Sequence, residues 1–353
     1  MAPAPLDLTL EIAARARFDV LDLRSRVSME HGDVLASYPH CLYWSAHTTA
    51  GFLDRSLSLR LGLGRVSGYV DTLRRIFPEG AGYAHDRLER RKDLDAAQRA
   101  TEPKNGDSHL AFIAGGLRPC VTHENRADEA VCFVDLDGVN EGRARRRVTR
   151  VIGFHREAIA GQMQIRVPMS GHPVDSINLK NPELGVSAQI AEFVARAGVD
   201  KGRLHIALGR GERDAALTIN EFETLLMRYD LAAILRNPFR FMAEEGRQAL
   251  ANPRGVPGRA LGYAKYDLVR VLNRGLDTLG LHGSLIEKLL ARTSAVPARM
   301  FLRIRRSINL LVAEREDGRP GPVEGIYQSP ILIQWQRATR DVRELDLTLY
   351  RLE

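Results

Sequence analysis

The sequence predicts an α+β fold made of two tandem domains, each an antiparallel or mixed sheet covered by helices in an α/β sandwich. Three observations carry this expectation. Alternating polar and apolar segments stand at both ends of each half, amphipathic helical runs lie between them, and the order strand, turn, strand, helix, strand occurs twice in 353 residues. At roughly 150 residues per domain, the length itself calls for about two.

In chain order, residues 8–27 alternate as a strand, a turn and a second strand leading into a helix. Residues 32–52 finish that helix and continue as an apolar strand that closes on His47-Thr48-Thr49-Ala50. A linker is expected at about 155–161, after which the same order returns in residues 163–179. The helix that follows carries Ile190, Phe193, Val194 and Ala197 on one face, with Gly198 at its C-terminal end. A strand over residues 203–221 comes next. Each half ends in a pair of strands around a charged turn, 130–153 in the first and 325–353 in the second. The expected domains are residues 1–154 and 155–353, the second being longer by a helical insertion at about 237–293. A helical insertion into a surface connection costs little loop entropy, and a packing or oligomer-contact role is favoured over a substrate lid.

Hydrophobic residues at 44% and charged residues at 27% exclude a disordered, collagenous or membrane-embedded chain. No apolar run reaches the roughly 18 residues of a membrane span. The opening segment has no basic stretch followed by an apolar run, so the expected compartment is the cytoplasm. Three cysteines, Cys41, Cys120 and Cys132, are scattered without metal-knuckle spacing. The net charge of +7 rests on arginine, since only six of the 51 basic residues are lysine. This excess reads as coding bias, and the run Arg143 to Arg150 as a solvated strand face. Without an aromatic stacking platform, nucleic acid is not expected as a partner.

Three histidines sit among turn-forming or small polar residues, where a scaffold presents functional side chains: His47, His85 and His109. Converging imidazoles would hold a divalent metal such as zinc or magnesium, or divide acid, base and phosphate-binding roles. Three unrelated surface or hydrogen-bonded histidines are the alternative.

The string His47-Thr48-Thr49-Ala50-Gly51 is followed by Tyr83-x-His85, Asn105-x-x-Ser108-His109 and Val134-Asp135-Leu136-Asp137-Gly138 with a basic strand. Together these resemble the YjbQ family, whose members are also described as secondary thiamine-phosphate synthase enzymes. The second half adds Thr218-Ile219-Asn220-Glu221 and Gly325-Ile326-Tyr327-Gln328, similar to the family's T-I-N-E and G-T-W-Q strings. The resemblance covers nearly the whole chain as two diverged copies. It also departs from the pattern. Ser56 stands where the first copy's glutamate would fall, and Arg126-Ala127-Asp128-Glu129 replaces its G-T-W-Q string. In the second copy Glu212 takes the place of the motif histidine, and the stretch from Ser294 to Arg299 has none.

The resemblance implies catalytic roles for His47, His85, His109 and Glu221, and substrate contacts from Thr48, Thr49, Asn105, Asn220 and Gln328. It implies a metal, zinc or magnesium, on His47, His85 and His109. It also implies a homo-oligomer acting on a small anionic substrate. Two arrangements are open: one site composed from both copies, or a first copy working alone beside a second that serves as scaffold. Three functions follow. One is an enzyme of a polar or phosphorylated metabolite, in specialised metabolism. Another is a thiamine-phosphate-synthase-like transferase that joins a pyrimidine diphosphate to a thiazole phosphate and releases pyrophosphate. The third is a non-catalytic binding or assembly module.

Overall fold

The computed structural model describes residues 3–140, 142–237, 240–242, 305–315 and 318–353. The helical insertion expected at about 237–293 lies outside the described residues, apart from a few at its start. Among the described residues no helix is long and apolar enough to cross a membrane. The chain forms two compact units. One is built from Met1–Gly62, Leu117–Phe222 and Arg305–Glu353, the other from Leu63–Gly116 and Glu223–Ile304.

The protein is α+β, as the alternation predicts. The first half runs β1 (Leu6–Ala13), β2 (Asp19–Asp22), α1 (Leu23–His31), β3 (His40–Ser45), β4 (Ala50–Phe52), α2 (Arg55–Leu61), α3 (Leu63–Ile76), α4 (Ala96–Thr101), α5 (Gly106–Ala114), β5 (Cys120–Glu124), β6 (Cys132–Asp135), β7 (Val139–Asn140), β8 (Arg143–Ala144) and β9 (Arg146–Phe154). The second half runs β10 (Glu157–Pro168), β11 (Asp175–Asn178), α6 (Val186–Ala197), β12 (Lys201–Leu208), β13 (Ala215–Asn220), α7 (Ala232–Arg236), β14 (Ser307–Glu314), β15 (Pro320–Val323), β16 (Ser329–Gln334) and β17 (Val342–Leu352).

Among the described residues all the strands belong to the first unit, and their pairing is antiparallel throughout. The first half gives a sheet in the order β1-β9-β3-β5 and a smaller one, β2-β6-β4. The second gives β10-β17-β12-β14-β15 and β11-β16-β13. The two halves therefore share one strand order, with α1 and α6 at matching places between the second and third strands. Alternation decides what each strand buries. In β12 every second residue faces inward, so Leu204, Ile206 and Leu208 join the second half's core with Leu345, Leu347 and Leu349 of β17. Tyr43, Phe52, Phe133 and Val151 do the same for the first half. A third cluster draws on both, packing Trp44, Ile152 and Phe154 with Leu311, Ala313 and Leu352.

α6 buries Val186, Ile190 and Val194, flanked by the partly buried Phe193 and Ala197, and ends at Gly198 in a left-handed conformation (φ 58°). The arginine run around the start of β9 is solvated at Arg143 and Arg146, as its charge suggests, but not throughout. Period two turns Arg147 inward beside Val151, and it is 3% exposed because Asp135 on β6 supplies a matched carboxylate. Arg145 pairs with Asp137, and Arg150 with Asp7.

The second unit is helical among its described residues. α3 buries Val66, Val70, Leu73 and Ile76, one stripe at helical spacing. All nine residues of α5 are buried. A π-helical segment, Leu226–Leu231, leads directly into α7.

Candidate functional site

Within the second unit, α5 is held by a close approach. The Gly106 amide donates to Asp86 Oδ1 at 2.9 Å, and a Cβ at that position would lie 2.9 Å from the Tyr83 Cβ, so a larger residue would push the helix away. This seats Asn105 at the helix start and His109 one turn in. His85 is fully buried beside them, and its ring meets His109 edge-on at 5.0 Å between centroids. The bend and turn at Ala84 and His85 are tied down by Asp230 of the π-helical segment, whose carboxylate accepts from the Ala84 and His85 amides at 2.9 Å each. Burial pushes the Asp230 carboxyl up to about 6, against the pull of those two amides.

Both ring nitrogens of His85 face partners. Nδ1 lies 3.3 Å from Glu223 Oε2, and Nε2 lies 3.1 Å from Asn105 Oδ1. The Arg91 guanidinium, 2% exposed, stands 3.2 Å from the same Nδ1. One proton decides which network forms. An imidazolium donates to Glu223 and Asn105 together, whereas a neutral ring protonated on Nε2 donates to Asn105 and accepts from Arg91. Burial pushes the Glu223 carboxyl up. Hydrogen bonds from His85 and from the Leu225 and Leu226 amides, with the Arg91 charge, outweigh it and hold Glu223 below the usual carboxylate range. Arg91 is itself anchored by Asp93 at 2.6 Å and Glu102 at 3.5 Å. The arrangement is a histidine oriented by a carboxylate and poised to take or give a proton.

In the first unit, the loop from Ser45 to Ala50 is shaped from both halves of the chain. His47 Nε2 accepts from the Val148 amide of β9 at 2.8 Å. Burial, then the charges of Arg147 and Arg145, push this imidazole down to about 3, so the ring is neutral and its Nδ1 carries the proton. Gln328 is 1% exposed and donates from Nε2 to the Ser45 carbonyl at 2.9 Å and the His47 carbonyl at 2.8 Å, while Oε1 accepts from the Gly325 amide. Asn220 donates to the Thr48 carbonyl at 2.9 Å, and the Thr49 carbonyl accepts from Leu136. Gly325 is required here, since a Cβ on it would lie 1.8 Å from the Ala46 oxygen.

Of the residues singled out from the sequence, His85, His109 and Asn105 meet in the second unit. His47, Thr48, Thr49, Asn220 and Gln328 meet in the first. Glu221 directly follows β13 in the first unit, half-buried, and its amide donates to Asn220 Oδ1 at 2.9 Å. Sequence reasoning passed over Arg91, Glu223 and Asp230. Glu223 stands two residues beyond the motif glutamate and just before a helical run, where a carboxylate caps free amides. That position was a readable signal. Arg91 lies in an arginine-rich stretch and offered none.

No family model matches the sequence, and no curated protein matches it either. Solved structures do. The chain is similar to a YbjQ-like protein of unknown function from Sulfolobus solfataricus P2, at 15% identity and a TM-score of 0.28, over 56% of this chain and 99% of that one. A hypothetical protein from Aeropyrum pernix K1 matches at 18% identity and a TM-score of 0.29, over 55% of this chain and 99% of that one. An uncharacterized conserved protein of the YjbQ/UPF0047 family from Clostridium acetobutylicum matches at 12% identity and a TM-score of 0.23, over 53% and 98%.

Proposed function

We propose that this chain is a tandem pair of diverged YjbQ-like copies, residues 1–154 and 155–353, and an enzyme acting on a small polar or phosphorylated metabolite. The shared strand order of the halves supports the duplication. The observation that carries the chemistry is His85, held between Glu223 and Asn105 with Arg91 against it and His109 5.0 Å away. In this reading His85 is the proton-transferring group, Glu223 fixes its ring, and Arg91 stabilises negative charge that develops on a substrate. His109 is the second imidazole.

Imidazole nitrogens beside a carboxylate also suit a divalent cation, zinc more than magnesium. His85 and His109 would hold it, with Glu223 orienting His85 from behind. A bound cation would supply charge stabilisation for an anionic leaving group. At His47, where the resemblance implies a third ligand, the Nε2 lone pair is taken up by the Val148 amide and Nδ1 carries the ring proton, so neither nitrogen offers a cation a lone pair in this arrangement. The same proposal includes a homo-oligomer in the cytoplasm with neither nucleic acid nor membrane as partner.

The test combines metal analysis of the purified protein with a turnover screen of phosphorylated metabolites. The screen includes pyrophosphate release from a pyrimidine diphosphate in the presence of a thiazole phosphate. Turnover that His85→Ala and His109→Ala each lower by at least about a hundredfold is expected. Variants at both positions that retain full biological activity in cells would sink the enzymatic reading and leave a binding module.

A further inference from the structure

At the far end of the second half, a cavity of about 550 Å³ opens between β17 and the loops that carry Glu212 and Arg340. Its size is that of small-ligand sites. It occupies the second half's counterpart of the His47 loop. His47 accepts an amide from β9, and Glu212 Oε1 likewise accepts the Glu344 amide of β17 at 2.8 Å. With glutamate in the histidine's place, the floor becomes an ion pair: Arg343, 4% exposed, reaches Glu212 Oε2 at 2.7 Å and the carbonyls of Arg213 and Gln336 at 2.6 Å each.

The charges of the lining do not cancel. Arg343 is answered by Glu212, Arg337 by Asp341 at 2.7 Å, and Arg166 by Glu344 at 3.5 Å. Arg213 and Arg340 also line the cavity, and among the described residues neither is in an ion pair; Asp214 lines it too, its Oδ1 accepting from Trp335 Nε1, so with Asp341 counted the cleft keeps one net positive charge. The backbone here is strained as well. Asp214 (φ 53°), Arg340 (φ 60°) and Asp341 (φ 54°) are the three described non-glycine residues with positive φ; two line this cavity and the third anchors Arg337. Such conformations cost of order 1–3 kcal/mol each and cluster where a ligand is held.

We infer that this cleft is a second ligand site, which binds a small molecule through a phosphate or diphosphate group held between Arg213 and Arg340. Guanidinium forks suit phosphate oxygens in paired contacts, and two forks outside any ion pair can grip one such group in a cleft that keeps a net positive charge. The second half has thus lost the motif histidine while keeping a pocket, now adapted to an anion. This inference stands apart from the histidine cluster, because it concerns binding and involves different residues.

The experiment titrates the full-length protein with inorganic pyrophosphate, inorganic phosphate and citrate by calorimetry. Fluorescence of Trp335, whose Nε1 donates to Asp214 at 3.2 Å, serves as a second reporter. Saturable binding of pyrophosphate is expected, weakening as salt rises. Arg213→Gln and Arg340→Asn, the latter tolerant of left-handed backbone, should each weaken it about tenfold. Arg196→Gln, on the exposed face of α6, should leave it unchanged. Three results would overturn the inference: no saturable binding at millimolar pyrophosphate, wild-type affinity in both arginine variants, or citrate binding as tightly as pyrophosphate through the same arginines.

Discussion

Gln328→Ala tests whether the second half builds the histidine loop of the first. The Gln328 amide makes three hydrogen bonds of 2.8 to 2.9 Å, two from Nε2 to the Ser45 and His47 carbonyls and one to Oε1 from the Gly325 amide. Truncation leaves all three backbone groups unmatched where the side chain is 1% exposed. At about 1 kcal/mol net per bond, with an added penalty for groups left buried and dry, the loss is about 3–5 kcal/mol. Gln328→Glu keeps the shape but turns an acceptor toward two carbonyls, and it should cost at least as much. Gln334 is the internal comparison. It is also buried, but two of its three contacts, to Ser170 O and from Arg343 Nε, are 3.4 Å long, so Gln334→Ala should cost less. The assay is urea unfolding followed by fluorescence of Trp44, which packs in the cluster shared by the two halves. A midpoint shift at constant m reports the change. A loss below about 0.5 kcal/mol for Gln328→Ala, the level of an ordinary surface substitution, would refute the reasoning.

Gly325→Ala should destabilise the same loop by several kcal/mol, about 3 or more, since its Cβ would sit 1.8 Å from a backbone oxygen that has no side-chain freedom to yield; a melting temperature equal to wild type would count against it. Arg147→Met should cost about 3–5 kcal/mol by leaving the Asp135 carboxylate, 1% exposed, without its ion pair, and adding Asp135→Asn should restore much of it in denaturant melts. His47 makes stability depend on acid. Its folded value of about 3 is depressed from 6.5, so its contribution is fully present above pH 6.5 and is lost as pH falls toward 3. By pH 5 about 2 kcal/mol is gone, a loss that His47→Gln should abolish in unfolding curves taken at pH 7 and pH 5. Asp230 acts in the opposite sense within the second unit. Its folded value is raised to about 6, so its contribution is present below the unfolded value of 3.8 and is lost as pH rises through 6. The difference between wild type and Asp230→Asn should therefore shift by about 2.4 kcal/mol between pH 4 and pH 7, read by hydrogen exchange at the Ala84 and His85 amides.

Periodicity made the strand order and α6 legible, because Val186, Ile190 and Val194 mark a buried stripe that needs no long-range knowledge. Local context also singled out His85 and His109, which sit among turn-forming or small polar residues, whereas Asn105 came only from the resemblance. Arg147 was read as solvated because its partner Asp135 lies 12 residues earlier, on a strand that only the sheet brings alongside. The division of the chain into units was hidden for a similar reason. Residues 63–116 and 223–304 are far apart in sequence, and each interrupts a half whose strands close up on both sides of it. Glu223 and Asp230 bond to His85 over 138 and 145 residues, distances at which spacing carries no signal.

The distribution of motif residues between the halves acquires a physical reading in the first unit. Asn220 and Gln328 come from the second half, yet their amide N–H groups are spent on the carbonyls of Thr48, Ser45 and His47 in the first. A side-chain amide committed in this way fixes a loop's path. Gly325, which must lack a Cβ to let the Ala46 carbonyl approach, belongs to the same device. The second half therefore retains Asn220, Gly325 and Gln328 for a reason that holds whether or not they touch a substrate, since without them the His47 loop has no partner for three of its carbonyls. In the first half the corresponding stretch reads Arg126-Ala127-Asp128-Glu129, where Glu129 pairs with Arg55 at 2.8 Å. If the halves are copies, as proposed, the interlocking accounts for the division: a motif residue can be lost in the half whose loop is shaped from elsewhere.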